Sequence, residues 1–140
     1  MSLYVVDASV AAKWFAPEPH SEAALRVLAG THELHAPDFF LLEMDSIVCK
    51  WIRSGLITPP EGDRIRQAIQ RVPLQFHTVV SVRDLAYSLA NDTGRSTYDC
   101  LYLALAVLLQ CRVVTADRKL HDALAKGPFA QHVEWVETVA

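Results

Sequence analysis

The chain has 140 residues, 51% hydrophobic and 21% charged. That length suits one domain with a real core and is too short for two, and the balance is that of an ordinary globular protein. A formal net charge of −3 excludes a chain-wide basic field of the kind that holds nucleic acid, so any such contact must come from a local patch.

The three cysteines, Cys49, Cys100 and Cys111, are scattered among apolar residues without a C-x-x-C pair. They read as reduced, buried thiols. No basic-then-apolar leader opens the sequence, and the longest apolar run, Leu101 to Leu109, is too short to span a bilayer. The expectation is a soluble cytoplasmic protein with no membrane contact.

In chain order, Leu3 to Val6 predicts a buried strand ending at Asp7. Ala8 to Phe15 is helix-like and is stopped by Pro17 and Pro19. Ser21 is placed to cap a helix through Ala29, with Gly30 just past its end. Leu34 to Ala36 predicts a second short strand. Asp38 then opens a long helix to Gly55, with Leu41, Met44, Ile47, Val48, Trp51 and Ile52 at helical spacing. Thr58-Pro59-Pro60-Glu61 is a helix opening with proline near its first position and an acid in its first turn. Leu74 to Val80 predicts a strand, and Val82 to Asn91 a helix closed by Asp-Thr-Gly. Thr97 to Gln110 is an apolar helix, Arg112 to Thr115 a strand, Arg118 to Ala125 a helix, and His132 to Val136 a last strand. Strands alternating with helices predict an α/β fold with a mainly parallel sheet, the whole of residues 1–140 forming one unit.

Functional groups in such sheets collect at the carboxyl ends of the strands. Asp7 ends the first strand and Asp117 follows the Val113-Val114-Thr115 strand. Asp99 begins the helix that feeds that strand, and Glu43 lies one turn into the long helix. One edge can therefore gather four carboxylates. Two unit charges 4 Å apart repel by about 4 kcal/mol at an effective dielectric near 20. A hard divalent cation, Mg²⁺ or Mn²⁺, would relieve four such groups, and oxygen-only ligands suit it. The bland alternatives stay open at this point. Asp7 and Asp117 could be helix caps, as could Asp99, although Ser96 and Thr97 compete for that role, and Glu43 could lie on a solvated face as Asp45 does.

Four stretches carry a resemblance: V-V-D-A-S-V with Asp7 and Ser9, A-P-D-F-F-L-L-E with Glu43, S-T-Y-D-C-L-Y-L-A-L-A with Asp99, and V-V-T-A-D-R-K-L with Thr115 and Asp117. In this order and spacing the chain resembles the PIN-domain ribonucleases, specifically the VapC-type toxins of VapBC toxin–antitoxin pairs, over nearly its whole length. Asp45 and Ser46 depart from the family pattern, which has small or amide residues there. The resemblance implies a three-layer α/β/α sandwich around a short parallel sheet. It implies a metal-dependent endoribonuclease in which Asp7, Glu43, Asp99 and Asp117 hold Mg²⁺ or Mn²⁺ and metal-activated water attacks the phosphodiester. Asp7 and Asp99 would be the foremost direct ligands, and Asp117 could act through water or only at a second site. Ser9 and Thr115 would orient the carboxylates.

No histidine is needed for that chemistry, and the H-x-x-H of His32 and His35 reads as structural or surface. Lys13, Lys50, Arg53, Arg95, Arg118 and Lys119 are the basic residues that could rim the acids and meet RNA phosphates, with Arg95 and Arg118 closest in sequence to a motif acid. Trp14, Phe15, Phe39, Phe40 and Trp51 crowd the first third of the chain, where core packing would take some and a binding groove or dimer face the rest. The resemblance further implies a homodimer and a cognate antitoxin protein lying across this region.

Rival enzyme classes lack their marks. A phosphotransfer receiver wants an Asp where the central strand runs out in Val79-Val80-Ser81. Nucleotide-binding glycine motifs do not occur, and a dehalogenase-type phosphatase wants Asp-x-Asp where Asp7-Ala8-Ser9 stands. Outside enzymology, the fold could be a catalytically silent module that holds an antitoxin or DNA-binding partner, its acids serving as an arginine socket.

Overall fold

A computed structural model describes residues 2–140. In order the elements are β1 (Leu3–Val6), α1 (Ala8–Ala12), α2 (Ser21–Ala29), β2 (Glu33–Pro37), α3 (Phe39–Arg53), α4 (Pro59–Ile69), β3 (Leu74–His77), α5 (Val79–Thr93), α6 (Thr97–Leu109), β4 (Arg112–Thr115), α7 (Arg118–Ala125) and β5 (Val133–Trp135), with short 3₁₀ turns at 130–132 and 136–138. The strands lie in the order β3-β2-β1-β4-β5, and all four pairings are parallel.

Parallel strands are covered on both faces and so need apolar side chains in near-continuous runs. Val5, Val6, Val113 and Val114 meet that demand, at 0–1% exposure. Val5 stands opposite His35 on one side and Val113 on the other, which sets β1 in the middle of the sheet. From β1 the chain steps outward through β2 to β3, then returns to β4 and continues to β5. Right-handed crossovers put α1 to α4 on one face and α5 to α7 on the other. The packing agrees: α1 meets α3 and α3 meets α4, while α5 meets α6 and α7 meets β4 and β5. This is an α/β fold with an all-parallel five-stranded sheet flanked by helices.

Helix α6 is apolar all round because it is sandwiched between α5 and strands β1, β2 and β4, and Cys100 to Ala106 are buried without a break. Helix α4 opens with a capping box, Thr58 accepting from the Glu61 amide at 3.3 Å while the Glu61 carboxylate accepts from the Thr58 amide at 3.0 Å.

Several local expectations are corrected. The third strand stops at His77, not Val80. Thr78 caps α5 by accepting from the Ser81 amide, and the Val79 amide donates to the Asp38 carboxylate at 3.0 Å, so the β-branched pair Val79-Val80 starts a helix. Ser21 is the first residue of α2 and not its cap; its hydroxyl accepts from the Glu18 amide and donates to the Ala16 carbonyl, and His20 precedes it at φ 71°. Helix α1 ends at Ala12, three residues short of Phe15. Cys49 is exposed and not buried, because the buried stripe of α3 runs through Phe40, Met44, Val48 and Trp51 and leaves it on the outer face. Of the crowded aromatics, Phe40 and Trp51 are buried and Trp14, Phe15 and Phe39 half-buried. The exposed large apolar residues include Leu42, Leu56, Val80, Tyr87, Tyr98 and Leu108. Among the described residues, no helix is long and apolar enough to cross a membrane.

Candidate active site

The chain leaves β1 in one direction and β4 lies on its other side, so the carboxyl ends of these two strands flank a crevice. Asp7 sits in it. Its amide continues the ladder to the Val114 carbonyl at 3.3 Å, and its Oδ1 caps α1 by accepting from the Val10 amide at 3.2 Å. The Ser9 hydroxyl donates to the same oxygen. Asp7 is only 6% exposed. Burial pushes its pKa up to about 6, against the pull of Ser9, Thr115 and the Val10 amide, and the nearby Glu43 charge adds to the rise.

Ser9 and Thr115 join the two strand ends. The Ala116 amide donates to Ser9 Oγ at 2.9 Å, the Asp117 amide donates to Thr115 Oγ1 at 3.0 Å, and the two hydroxyl oxygens lie 3.4 Å apart. Asp117 then caps α7, accepting from the Leu120 amide at 3.2 Å.

Glu43 and Asp99 come from helices on opposite faces of the sheet. Ser96 caps α6 by accepting from the Asp99 amide at 3.0 Å, so the Asp99 carboxylate is not spent as the cap. It meets Arg95 Nη2 at 3.1 Å instead. Tyr102 follows Asp99 by three residues, on the same side of α6, and its hydroxyl donates to Glu43 Oε1. Burial, then the Glu43 charge, holds that phenol firmly protonated. Burial also raises the Glu43 pKa, with the Tyr102 hydrogen bond opposing and Asp99 adding repulsion.

Asp7, Glu43, Asp99 and Asp117 line one small pocket of about 70 Å³, together with Ala8, Ser9, Tyr102 and Leu120. That volume admits a few waters or a partly hydrated ion and nothing as large as a nucleotide. Two much larger concavities, of about 830 and 510 Å³, lie elsewhere and include none of the four acids. One is at the amino ends of β1 and β4, lined by Tyr4, Arg112 and Glu134; the other is a groove between α5 and α6, lined by Val79, Arg83, Tyr87, Tyr98 and Leu101.

Among the described residues no three His, Cys, Asp or Glu side chains are drawn into a finished ion-binding set. The reason is visible in their partners: Glu43 is engaged by Tyr102, Asp99 by Arg95 and Asp117 by its own helix. The donor chemistry nonetheless fits a hard divalent cation, being oxygen only. Burial raises the pKa of both Asp7 and Glu43, and a neighbouring carboxylate adds a smaller rise to each.

The other residues singled out in the sequence are dispersed. Arg118 lays its guanidinium over the Trp135 ring, 3.8 Å from the centroid, and is not part of the pocket lining. Lys13 pairs with Glu18 at 3.0 Å. Asp45 pairs with Arg66 at 2.7 Å. His32 bonds the Ala140 carbonyl, whereas His35 lies between His77 and Glu33, each 2.8 Å away, so H-x-x-H forms no ligand pair. Tyr102 was hidden in the sequence by the apolar run around it. Its spacing from Asp99 was the available sign.

A family model described as PIN domain matches residues 4–126. Ribonuclease VapC3 of Pyrobaculum aerophilum is 33% identical over 120 residues, covering 84% of this chain and 92% of that protein. The crystal structure of PAE2754 from Pyrobaculum aerophilum superposes with a TM-score of 0.70 at 22% identity, covering 98% of this chain and 85% of that one. VapBC2 from Rickettsia felis, solved bound to a DNA fragment from their promoter, gives a TM-score of 0.63 at 14% identity, covering 95% and 98%. The last two likenesses speak for the fold, and the family match and the curated relative speak for descent: the chain belongs to the PIN-domain family, on its VapC branch.

Proposed function

We propose that this protein is a divalent-metal-dependent endoribonuclease, the toxin of a toxin–antitoxin pair acting in the cytoplasm. The observation that carries the reading is the convergence of Asp7, Glu43, Asp99 and Asp117 on one pocket from β1, α3, α6 and the β4–α7 turn. The ribonuclease name of its relative agrees. An Mg²⁺ or Mn²⁺ ion held by these four carboxylates would supply an activated water and a counter-charge for the phosphate. The chain's own residues prepare that site. Ser9 and Thr115 hold Asp7 and the Asp117 turn in register, and Tyr102 fixes the rotamer of Glu43. Because the pocket is too small for a nucleotide, the RNA backbone lies across its mouth, with Arg95 and Arg118 contacting phosphates.

The same reading includes an antitoxin partner, and it includes a homodimer. Tyr87 and Tyr98, at 65% and 60% exposure, line the α5/α6 groove. Arg83 and Asp84 stand side by side there, a pairing that a two-fold axis makes self-complementary. Light scattering at micromolar concentration should give twice the monomer mass, and a monomer would remove the dimer from the reading.

Cleavage of pooled cellular RNA by purified protein, with Mg²⁺, Mn²⁺ or EDTA and beside Asp99→Asn, tests the activity. Cutting that needs both the ion and Asp99 supports it. Folded, partner-free protein that cuts under no condition would leave a silent binding module.

A further inference from the structure

Arg95 makes the one salt bridge, among the described residues, that any of the four pocket acids forms. The turn that delivers it is built for the purpose. Gly94 closes α5 at φ +71°, a conformation other residues rarely take, and the Arg95 amide donates to Thr93 Oγ1 at 3.2 Å. Ser96 then caps α6, which leaves the Asp99 carboxylate facing back toward the guanidinium four residues earlier. The Arg95 side chain is 28% exposed and Asp99 34%, so the pair is partly withdrawn from water. Arg95 Nε is buried without a hydrogen-bond partner, although Nη2 is satisfied. A bidentate arginine–carboxylate pair would engage two guanidinium nitrogens. This one makes a single contact at the cost of an orphaned donor.

We infer that Arg95 is the resident counter-cation of the acidic pocket and competes with the divalent ion for Asp99. This rests on the metal-dependent reading above. Without an ion, the guanidinium offsets the repulsion between Asp99 and Glu43. When an ion binds, Asp99 turns to it and Arg95 is released toward the pocket mouth, where a phosphate of the substrate would meet it. Ion binding and the readiness of Arg95 for RNA are then one event. Arg95 is a positioning residue in this scheme and takes no part in bond breaking.

The test is Mn²⁺ binding to the full chain by calorimetry at fixed ionic strength, comparing wild type, Arg95→Gln, Arg95→Lys and Asp99→Asn. Removing a unit positive charge a few ångströms from a divalent ion in a half-exposed site should tighten binding by about tenfold in Arg95→Gln. Arg95→Lys, which keeps the charge, should stay within about twofold of wild type. Arg95→Gln should also melt lower than wild type without ion and match it when saturated with Mn²⁺. An Arg95→Gln affinity no tighter than wild type overturns the inference, and so does an Arg95→Lys affinity as tight as that of Arg95→Gln. Should Arg95→Gln fail to fold, the wild type itself decides by NMR. Saturating Mg²⁺ must move the Arg95 Nε–H signal and speed its exchange, and an unmoved signal in an ion-bound protein refutes release. Wild type that binds no ion, with Asp99→Asn identical to it, brings down the metal-dependent reading as well; binding that Arg95 does not influence brings down only this inference.

Discussion

The hydroxyl of Tyr102 hydrogen-bonds the carboxylate of Glu43, tying α6 on one face of the sheet to α3 on the other across the acidic pocket. The bond favours the ionised Glu43 against the effect of burial. Tyr102→Phe removes the donor and leaves a half-buried acceptor unpaired, at a cost of about 1–2 kcal/mol. The Glu43 pKa then rises further. RNA cleavage should fall, more at the acid end of the pH range than at the alkaline end, and a pH–rate profile should show the acid limb displaced upward. An unshifted limb would mean that the bond positions nothing.

Asp7 gives a stability prediction whose sign runs against intuition. Its folded pKa of about 6 lies above its ordinary value of 3.8. The folded state therefore holds a proton that the unfolded state has already released, and stability is lost as pH rises from about 4 to about 6. The full loss is about 3 kcal/mol at most. Asp7→Asn keeps a capping oxygen but carries no charge. In the absence of divalent ions it should be more stable than wild type above pH 6 and indistinguishable near pH 3.5, while losing nuclease activity. Urea unfolding across this range checks it. Mn²⁺ should raise the melting temperature of wild type by several degrees and leave Asp7→Asn unmoved.

Ser9→Ala should lose activity by about 10- to 100-fold, as removal of a ligand-orienting group does. The Ala116 amide loses its acceptor and Asp7 loses its donor together. Thr115→Val frees the Asp117 amide in the same way. Because the two hydroxyls join the same pair of strand ends, the double variant should be less impaired than the product of the single losses, and a double-mutant cycle on cleavage rate measures that coupling.

Arg118→Ala should weaken RNA binding by a few-fold and lower the slope of log affinity against log salt by about 1. Its guanidinium already sits over Trp135, 3.8 Å from the ring centroid, so part of its freedom is restricted before any phosphate arrives. Fluorescence titration with single-stranded RNA at three salt concentrations gives the slope.

Much of this architecture was legible because its signals are local. The bounds expected for the Arg112–Thr115 strand and the Arg118–Ala125 helix match the structure. The third strand was read too long because Val79 and Val80 suit a strand by propensity. What overrides them is the Thr78 cap, a local signal, together with a hydrogen bond to Asp38, 41 residues away, which no local pattern shows. The four acids could be placed at one sheet edge from strand ends and helix starts. Tyr102 could not be assigned, because a tyrosine within an apolar helix looks like core until its partner on α3 is known. The sequence places Arg95 near Asp99, but their pairing depends on the glycine turn that sends Arg95 back toward the helix.

The sheet order has a consequence for how the protein is born. Strand β1 is made first yet is completed on one side only when β4 slots in beside it, and the four acids are spread from residue 7 to residue 117. A chain translated only as far as β3 still lacks β4, and a domain generally folds as a unit. It holds Asp7 and Glu43 by then, but neither the Ser9–Thr115 latch nor Asp117. The acidic pocket therefore cannot form until Asp117 has been made, long after Asp7 and Glu43.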